Sequence, residues 1–349
     1  EIMPSLVGSE MCIRDRIIGG ALTSISWEWI FLINVPIGIF IVIAGHYVLG
    51  AVEGQRVPLD IWGAILATLG STALVLGLTS AGKGASNPVF IVAMLVGIAS
   101  LGAFFITQKH TENGVLPLSL FTRRDRVFTF IAIFLLGAIM TTVAVFVALY
   151  VQTILKYTTL RAGLAFIPFA FALALGAATA SKISMKWAPR WIILAGCIFM
   201  VIGFGWGTAI SEESTFWADI FPPTLIIGYG VGLVSIALTL SAVAGVKPID
   251  VGPLTAISLV AQTLGGPIGL AFAGALAQSY TRHHGGADIP VTEMNSVQLH
   301  ALGEGYLLTL FVCLGLAVVM GILSALFIRF TVPDVVEGQK ANEAANDLP

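Results

Sequence analysis

The sequence predicts an all-α integral membrane protein that crosses the bilayer about nine times. Hydrophobic residues make up 57% of the chain and charged residues only 10%, with a mean hydropathy of +0.96; a soluble globule carries roughly 25% charged residues. The apolar residues also come in long runs with short polar breaks, and a helix needs about 20 such residues to cross about 30 Å of hydrocarbon. The runs fall at approximately 29–49, 60–80, 88–108, 127–151, 160–181, 190–209, 220–245, 254–279 and 304–330. The longest polar intervals, Lys109–Arg126 and Tyr280–Gly303, are too short for a soluble domain.

Bulk properties and residue spacing also exclude several functions. A net charge of -2 over 349 residues leaves no basic surface for nucleic acid. Cys12, Cys197 and Cys313 supply neither a disulfide framework nor a metal-ligand spacing. His283-His284 is a loop dyad without a third ligand, and His46 reads as a span-end residue, so neither a metal nor a cofactor is expected. A membrane enzyme acting on lipid-linked substrates would need clustered Asp, Glu or His at one membrane face, and the sequence shows no such cluster.

Glu1–Arg16 has no basic start, apolar core or cleavage site, so it is not a signal peptide. It reads as adapter-derived, non-native sequence, with native sequence expected from Ile17. Trp27 and Trp29 then stand at the mouth of the first run, where a bilayer interface selects amphipathic aromatics. Arg56, Lys109, Arg123, Arg124, Arg126, Lys182, Lys186, Arg190, Lys247, Arg329 and Lys340 fall in one set of alternate loops; the other holds only Lys83, Lys156, Arg161 and Arg282. Because Lys and Arg near span ends are retained inside, the richer side is expected to be cytoplasmic, with the C-terminal tail on it. That places the protein in the cell membrane as a multi-pass chain.

Gly19-Gly20, Thr23 and the stretch Trp27-x-Trp29-Ile30-Phe31-x-Ile33-Asn34-x-Pro36-Ile37-Gly38 resemble the junction of helices five and six in the fourteen-helix drug:proton antiporters, the EmrB/QacA type of the major facilitator superfamily. Glu28 departs from the Arg usual there, and Asp15-Arg16 stand where Gly-Pro is usual. Pro58-Leu59-Asp60-x-x-Gly63 resembles the entry to the family's first linker helix. Pro117-Leu118-x-Leu120-Phe121 followed by Arg123, Arg124 and Arg126 resembles the amphipathic connector into the C-terminal half. Tyr150-Val151-Gln152-x4-Tyr157-x4-Ala162-Gly163-x4-Pro168 resembles the join of that half's first two helices.

The resemblance implies a partial major facilitator fold. Residues 17–50 would hold the end of helix five and helix six, 51–110 two linker helices, 111–126 the cytoplasmic connector, 127–331 a six-helix C-terminal bundle and 332–349 a cytoplasmic tail. On this plan the chain is an N-terminally truncated piece of an exporter of hydrophobic or cationic drugs, driven by protons and inactive by itself. All the acidic residues lie in loops, in tails or at span ends, and the family's proton-binding carboxylates belong to the other half. A carrier for a specific metabolite would share the fold. The sequence names neither the substrate nor a periplasmic adaptor; the partners it does imply are membrane lipids, protons and a small hydrophobic substrate.

Candidate cavity residues are Tyr150, Gln152, Tyr229, Ser258, Gln262 and Thr263. A buried amide in lipid needs a partner, so Gln262 should point inward. Tyr150 serves equally as an interface anchor, and the polar stripe around Gln262 equally as structural hydrogen bonding between helices. Arg161 reads as an interfacial charge. Gly203-x-Gly205-x-Gly207, Gly228-x-Gly230-x-Gly232 and Gly265, Gly266, Gly269 and Gly274 are read as helix-packing surfaces rather than nucleotide loops, because none follows a strand. The loop Ser181–Arg190 stands where the superfamily's gating loop recurs, but it lacks the acidic member and the leading Gly. No charge-locked gate is expected in this half.

Overall fold

The computed structural model describes residues 28, 32–48, 60–81, 87–110, 123–208, 220–246, 248–286 and 295–338. Gly19, Gly20, Trp27, Trp29, His46 beyond its backbone, the first sixteen residues and most of the 111–126 connector lie outside what is described. The described helices are α1 (Asn34–Val48), α2 (Ile61–Ala81), α3 (Pro88–His110), α4 (Arg124–Thr153), α5 (Thr159–Leu164), α6 (Ile167–Ile183), α7 (Pro189–Gly207), α8 (Phe221–Ala242), α9 (Pro248–His283) and α10 (Ser296–Phe327). Among the described residues, seven helical segments are long and apolar enough to cross a membrane, and shorter apolar stretches lie in α1 and α2. Every predicted run coincides with a helix, and the run near 160–181 is broken into α5 and α6. The helices are apolar around their whole circumference, as helices surrounded by lipid and by one another should be.

Two helix ends differ from the predicted runs. α10 begins at Ser296, two turns before the expected start, because Asn295 and Gln298 form a reciprocal capping box there. α9 begins at Pro248 and continues through Pro253 and Pro267. At 1.5 Å per residue its 36 residues span about 54 Å, more than the hydrocarbon requires. The extra turns let Tyr280 of α9 donate to Glu304 of α10 at 3.0 Å. Glu304, expected at a span end, therefore sits inside a helix, with His300 also 3.4 Å away.

Among the described residues, α8 packs against α6, α7 and α4, while α4 also packs against α9 and α10. Their shared core includes Ile139, Ile193, Met200, Phe204, Leu238 and Met320, all essentially inaccessible. The linker pair α2 and α3 forms an antiparallel hairpin that reaches the bundle through contacts of α2 with α9. Large apolar side chains on the outside, such as Phe40 at 71% and Trp62 at 72% exposure, are left for lipid.

Glycines set how closely these helices approach. Helices in hydrocarbon have no extra hydrophobic drive to associate, so small residues that allow backbone contact carry the packing. On α8, Gly228 and Gly232 share one face and press on the Phe169 and Leu173 carbonyls of α6, while Gly230 faces Gly196 of α7. A Cβ on Gly230 would come within 2.6 Å of the Gly196 carbonyl oxygen, and one on Gly196 within 2.7 Å of the Gly230 oxygen. Gly203 of α7 also faces α8, whereas Gly205 and Gly207 look toward leucines of α10. The α4 and α9 crossing is reciprocal: Gly137 lies on the Gln262 backbone and Gly265 on the Phe134 carbonyl.

The linker hairpin uses the same device at a spacing of seven residues. Gly63, Gly70 and Gly77 of α2 face Gln108, Leu101 and Met94 of α3. Asp60, from the motif before α2, accepts from the Gly63 amide at 2.8 Å and from the Gln108 side chain. A Cβ on Gly63 would collide with both partners. The added atom would push these two side-chain ends aside.

At one end of the bundle Arg126 donates to the Ala244 carbonyl at 3.3 Å, and Gly245, at φ 62°, donates to the Asp334 carbonyl at 3.0 Å. The stretch after α10 therefore folds under the bundle, with Ile328, Phe330 and Val335 buried and residues 332–338 helical. The Thr331 hydroxyl and amide both donate to Asp334, holding its carboxyl below the usual range with help from Arg123.

Gly265→Val should lower thermal stability of the detergent-solubilised chain by at least the ~1–3 kcal/mol usual for overpacking, since the added atoms meet backbone. Gly252→Ala, with nothing within 4 Å of its added carbon, should be neutral or slightly stabilising. Fluorescence-detected melting of a tagged protein compares the two; equal melts would contradict the backbone contact at Gly265.

Candidate functional site

A cavity of about 500 Å³ lies between α4, α6 and α9. Gly137, Met140, Thr141, Val143 and Ala144 line it from α4, Phe166 and Phe169 from the start of α6, and Gln262, Thr263 and Pro267 from α9. The volume lies within the range of sites for drug-sized ligands, about 300–1,000 Å³.

The Tyr150–Pro168 motif builds one wall. After α4 ends at Thr153, the Tyr157 amide donates back to the Val151 carbonyl at 3.1 Å, with Lys156 at φ 53° completing the turn. Thr158 caps α5 by accepting from the Arg161 amide. The Phe166 amide then donates to the Gly163 carbonyl at 3.1 Å, and Pro168 opens α6 in the first turn, where its missing N–H costs nothing. This break sets Phe166 and Phe169 against the cavity.

The opposite wall follows from the glycine crossing. Gly137 and Gly265 bring the α4 and α9 backbones together, and Gln262, one turn from Gly265, is held at the cavity edge. Among the described residues its amide forms no hydrogen bond, nor does the Thr141 hydroxyl across from it. Thr263 differs: its hydroxyl donates to the Leu259 carbonyl at 2.8 Å. None of the ten lining residues is charged.

The other sequence candidates are dispersed. Tyr150 lines a second, apolar cavity of about 50 Å³ with Phe146, Ile220, Pro223 and Tyr306. Gln152 is exposed at the end of α4. The Ser258 hydroxyl donates to its own helix at Leu254, 2.8 Å away. Tyr229 packs its ring edge-on against Phe199 at 5.2 Å. None of these three lines either cavity. Phe166, Phe169, Met140 and Thr141 were not singled out in the sequence; the two phenylalanines flank Pro168 and were findable from the motif, whereas Met140 and Thr141 carry no sequence signal.

The gating-loop position, Ser181–Arg190, closes as a turn in which the buried Ser184 hydroxyl donates to Ser181. Arg190 lies over the Trp191 ring at 5.2 Å. Among the described residues Lys182, Lys186 and Arg190 make no ion pair. His284 stacks on Tyr280, 3.9 Å between ring centres.

Among the described residues, membrane-length helices pack around an uncharged cavity of drug size. Transporters of the major facilitator type are homologues of this chain. The Mycobacterium tuberculosis protein described as the uncharacterized MFS-type transporter EfpA is 38% identical over 340 residues, 97% of this chain but 63% of its own length. The cephamycin export protein CmcT of Amycolatopsis lactamdurans is 31% identical over 263 residues, covering 73% of this chain and 54% of that protein. The multidrug export protein EmrB of Haemophilus influenzae is 29% identical over 267 residues, with 72% and 51% covered. The chain thus spans between half and two thirds of the length of these curated relatives. A bacterial homolog of the human lysosomal transporter Spinster, solved inward-facing and occupied, superposes with a TM-score of 0.50 at 16% identity, over 78% of this chain and 67% of that one. The fold is that of a major facilitator. No family model matches the chain.

Thr263→Cys and Gln262→Cys should react with a water-soluble thiol reagent at least about tenfold faster than Tyr229→Cys, whose ring position is packed on α7. Labelling in membrane vesicles, with Cys12 replaced and Cys197 and Cys313 buried, measures this; inert cysteines at both α9 positions would mean that they only pack helices.

Proposed function

We propose that this chain forms part of a secondary active exporter of hydrophobic or cationic drugs, of the fourteen-helix type, in which two helical bundles rock about a midplane site. The observation that carries the reading is the uncharged cavity with the uncommitted Gln262 amide on the α4 and α9 wall. The relatives support it: CmcT is a cephamycin export protein, EmrB a multidrug export protein, and a Streptomyces alboniger relative a puromycin resistance protein.

Proton coupling is assigned outside the described spans. Among the described residues, the acidic side chains within the helices other than Glu304 stand near helix ends, and Glu304, inside α10, is engaged with Tyr280 and His300. From the excess of Lys and Arg in the loops on that side, we infer that the end of the bundle near Arg126, Ala244 and Asp334 faces the cytoplasm.

Two experiments test this reading. A reporter inserted between 111 and 122 should be cytoplasmic and one between 287 and 294 external; both on one side would sink the topology. A chimera joining the EfpA segment that this chain does not span to residues 17–349 should raise drug resistance several-fold in a hypersensitive host, whereas residues 17–349 alone should match the empty vector. Resistance from the chain alone, with the protein shown to be in the membrane, would overturn the two-bundle reading.

A further inference from the structure

The cavity lining has a property that drug export as such does not demand: it offers hydrogen bonds and aromatic surface but no charge. Phe166 and Phe169 supply ring surface, and Met140, Val143 and Ala144 supply aliphatic contact. The Gln262 amide brings a donor and an acceptor, and the Thr141 hydroxyl brings both as well. Neither is used within the protein among the described residues. Resting on the reading of this cavity as part of the substrate pathway, and narrowing the hydrophobic or cationic class given there to its neutral members, we propose that the α4, α6 and α9 wall is a binding site for electrically neutral aromatic compounds bearing one or two hydrogen-bonding groups, and that it discriminates against cations of the same shape.

The physical argument is one of desolvation. A neutral ring system loses little on leaving water, and its polar atoms find partners in Gln262 and Thr141. A cation moved into the same site gives up its hydration and meets no carboxylate, which is unfavourable unless the charge is paired. The phenyl faces do not remove this penalty, because Phe is a weaker cation–π partner than Trp, and the site contains neither Trp nor Tyr. Selection against charge is therefore set by what the wall lacks at position 262. A carboxylate there should reverse it.

The test uses two dyes built on the same benzophenoxazine ring: Nile red, which is neutral, and Nile blue, which is positively charged at pH 7. Residues 1–349 in phosphatidylcholine nanodiscs are titrated with each dye, and the signal from empty nanodiscs is subtracted. Saturable Nile red binding is expected, with Nile blue at least tenfold weaker. Gln262→Glu should invert that order. Ala144→Phe, which fills the cavity, should weaken Nile red at least tenfold, and Gln152→Glu, on the exposed end of α4, should change neither dye. Should Ala144→Phe not give a monodisperse protein, Thr141→Phe fills the same space. Wild-type protein that binds Nile blue as tightly as Nile red, or a filled cavity that still binds Nile red normally, overturns the proposal. The outcome separates from that of the export reading: an inactive chimera whose chain still binds Nile red with this selectivity would remove export and keep the site, whereas an active chimera without the selectivity would do the reverse.

Discussion

A leucine turned toward lipid is as well solvated as one turned toward another leucine, so the bundle depends on backbone meeting backbone at its glycines. Each major crossing of α8 has such a contact: Gly228 and Gly232 against α6, and Gly230 against Gly196 of α7. The crossing of α4 and α9 repeats it with Gly137 and Gly265. Dispersion forces fall off within a fraction of an ångström of contact, so a single added methyl at these points would separate two helices over several turns. The linker hairpin obeys the same rule through Gly63, Gly70 and Gly77.

The candidate site follows from that constraint. Where α4 and α9 touch, Gly137 lies on the Gln262 backbone and Gly265 on the Phe134 carbonyl. Gln262 stands beside the contact and is carried to the edge of the space that opens between α4, α9 and α6. The third wall depends on a different local rule. The turn after Thr153, the short α5 and Pro168 in the first turn of α6 set where the second helix of the bundle begins, and with it where Phe166 and Phe169 lie.

Helix ends carry the polar chemistry that the spans exclude. Asp60 caps α2 and holds Gln108 of α3; Asn295 and Gln298 cap α10; Arg126, Gly245 and Asp334 tie the α8 to α9 turn to the segment beyond α10. In a hydrocarbon solvent an unpaired backbone group is costly, so ordered ends let the spans between them remain almost wholly apolar. Glu304 shows the boundary: it is accommodated inside α10 because that helix and α9 run past the length the hydrocarbon needs, and Tyr280 and His300 meet it there.

Composition and run length were enough to establish an all-α membrane protein and to locate its helices, because the bilayer imposes one length and one polarity on every span. Glycine clusters marked packing surfaces in advance, although only the fold sorted Gly228 and Gly232 from Gly230, since residues two apart on a helix point to different neighbours. The seven-residue spacing of Gly63, Gly70 and Gly77 was present in the sequence, but its meaning depends on α3 lying alongside. Of the polar candidates, Gln262 and Thr263 share a cavity while Ser258 turns back on its own helix and Tyr229 packs on Phe199. Sequence determines that a polar residue lies in a span; which way it faces is decided by helix rotation, and that rotation is set by glycine contacts between helices that lie far apart along the chain.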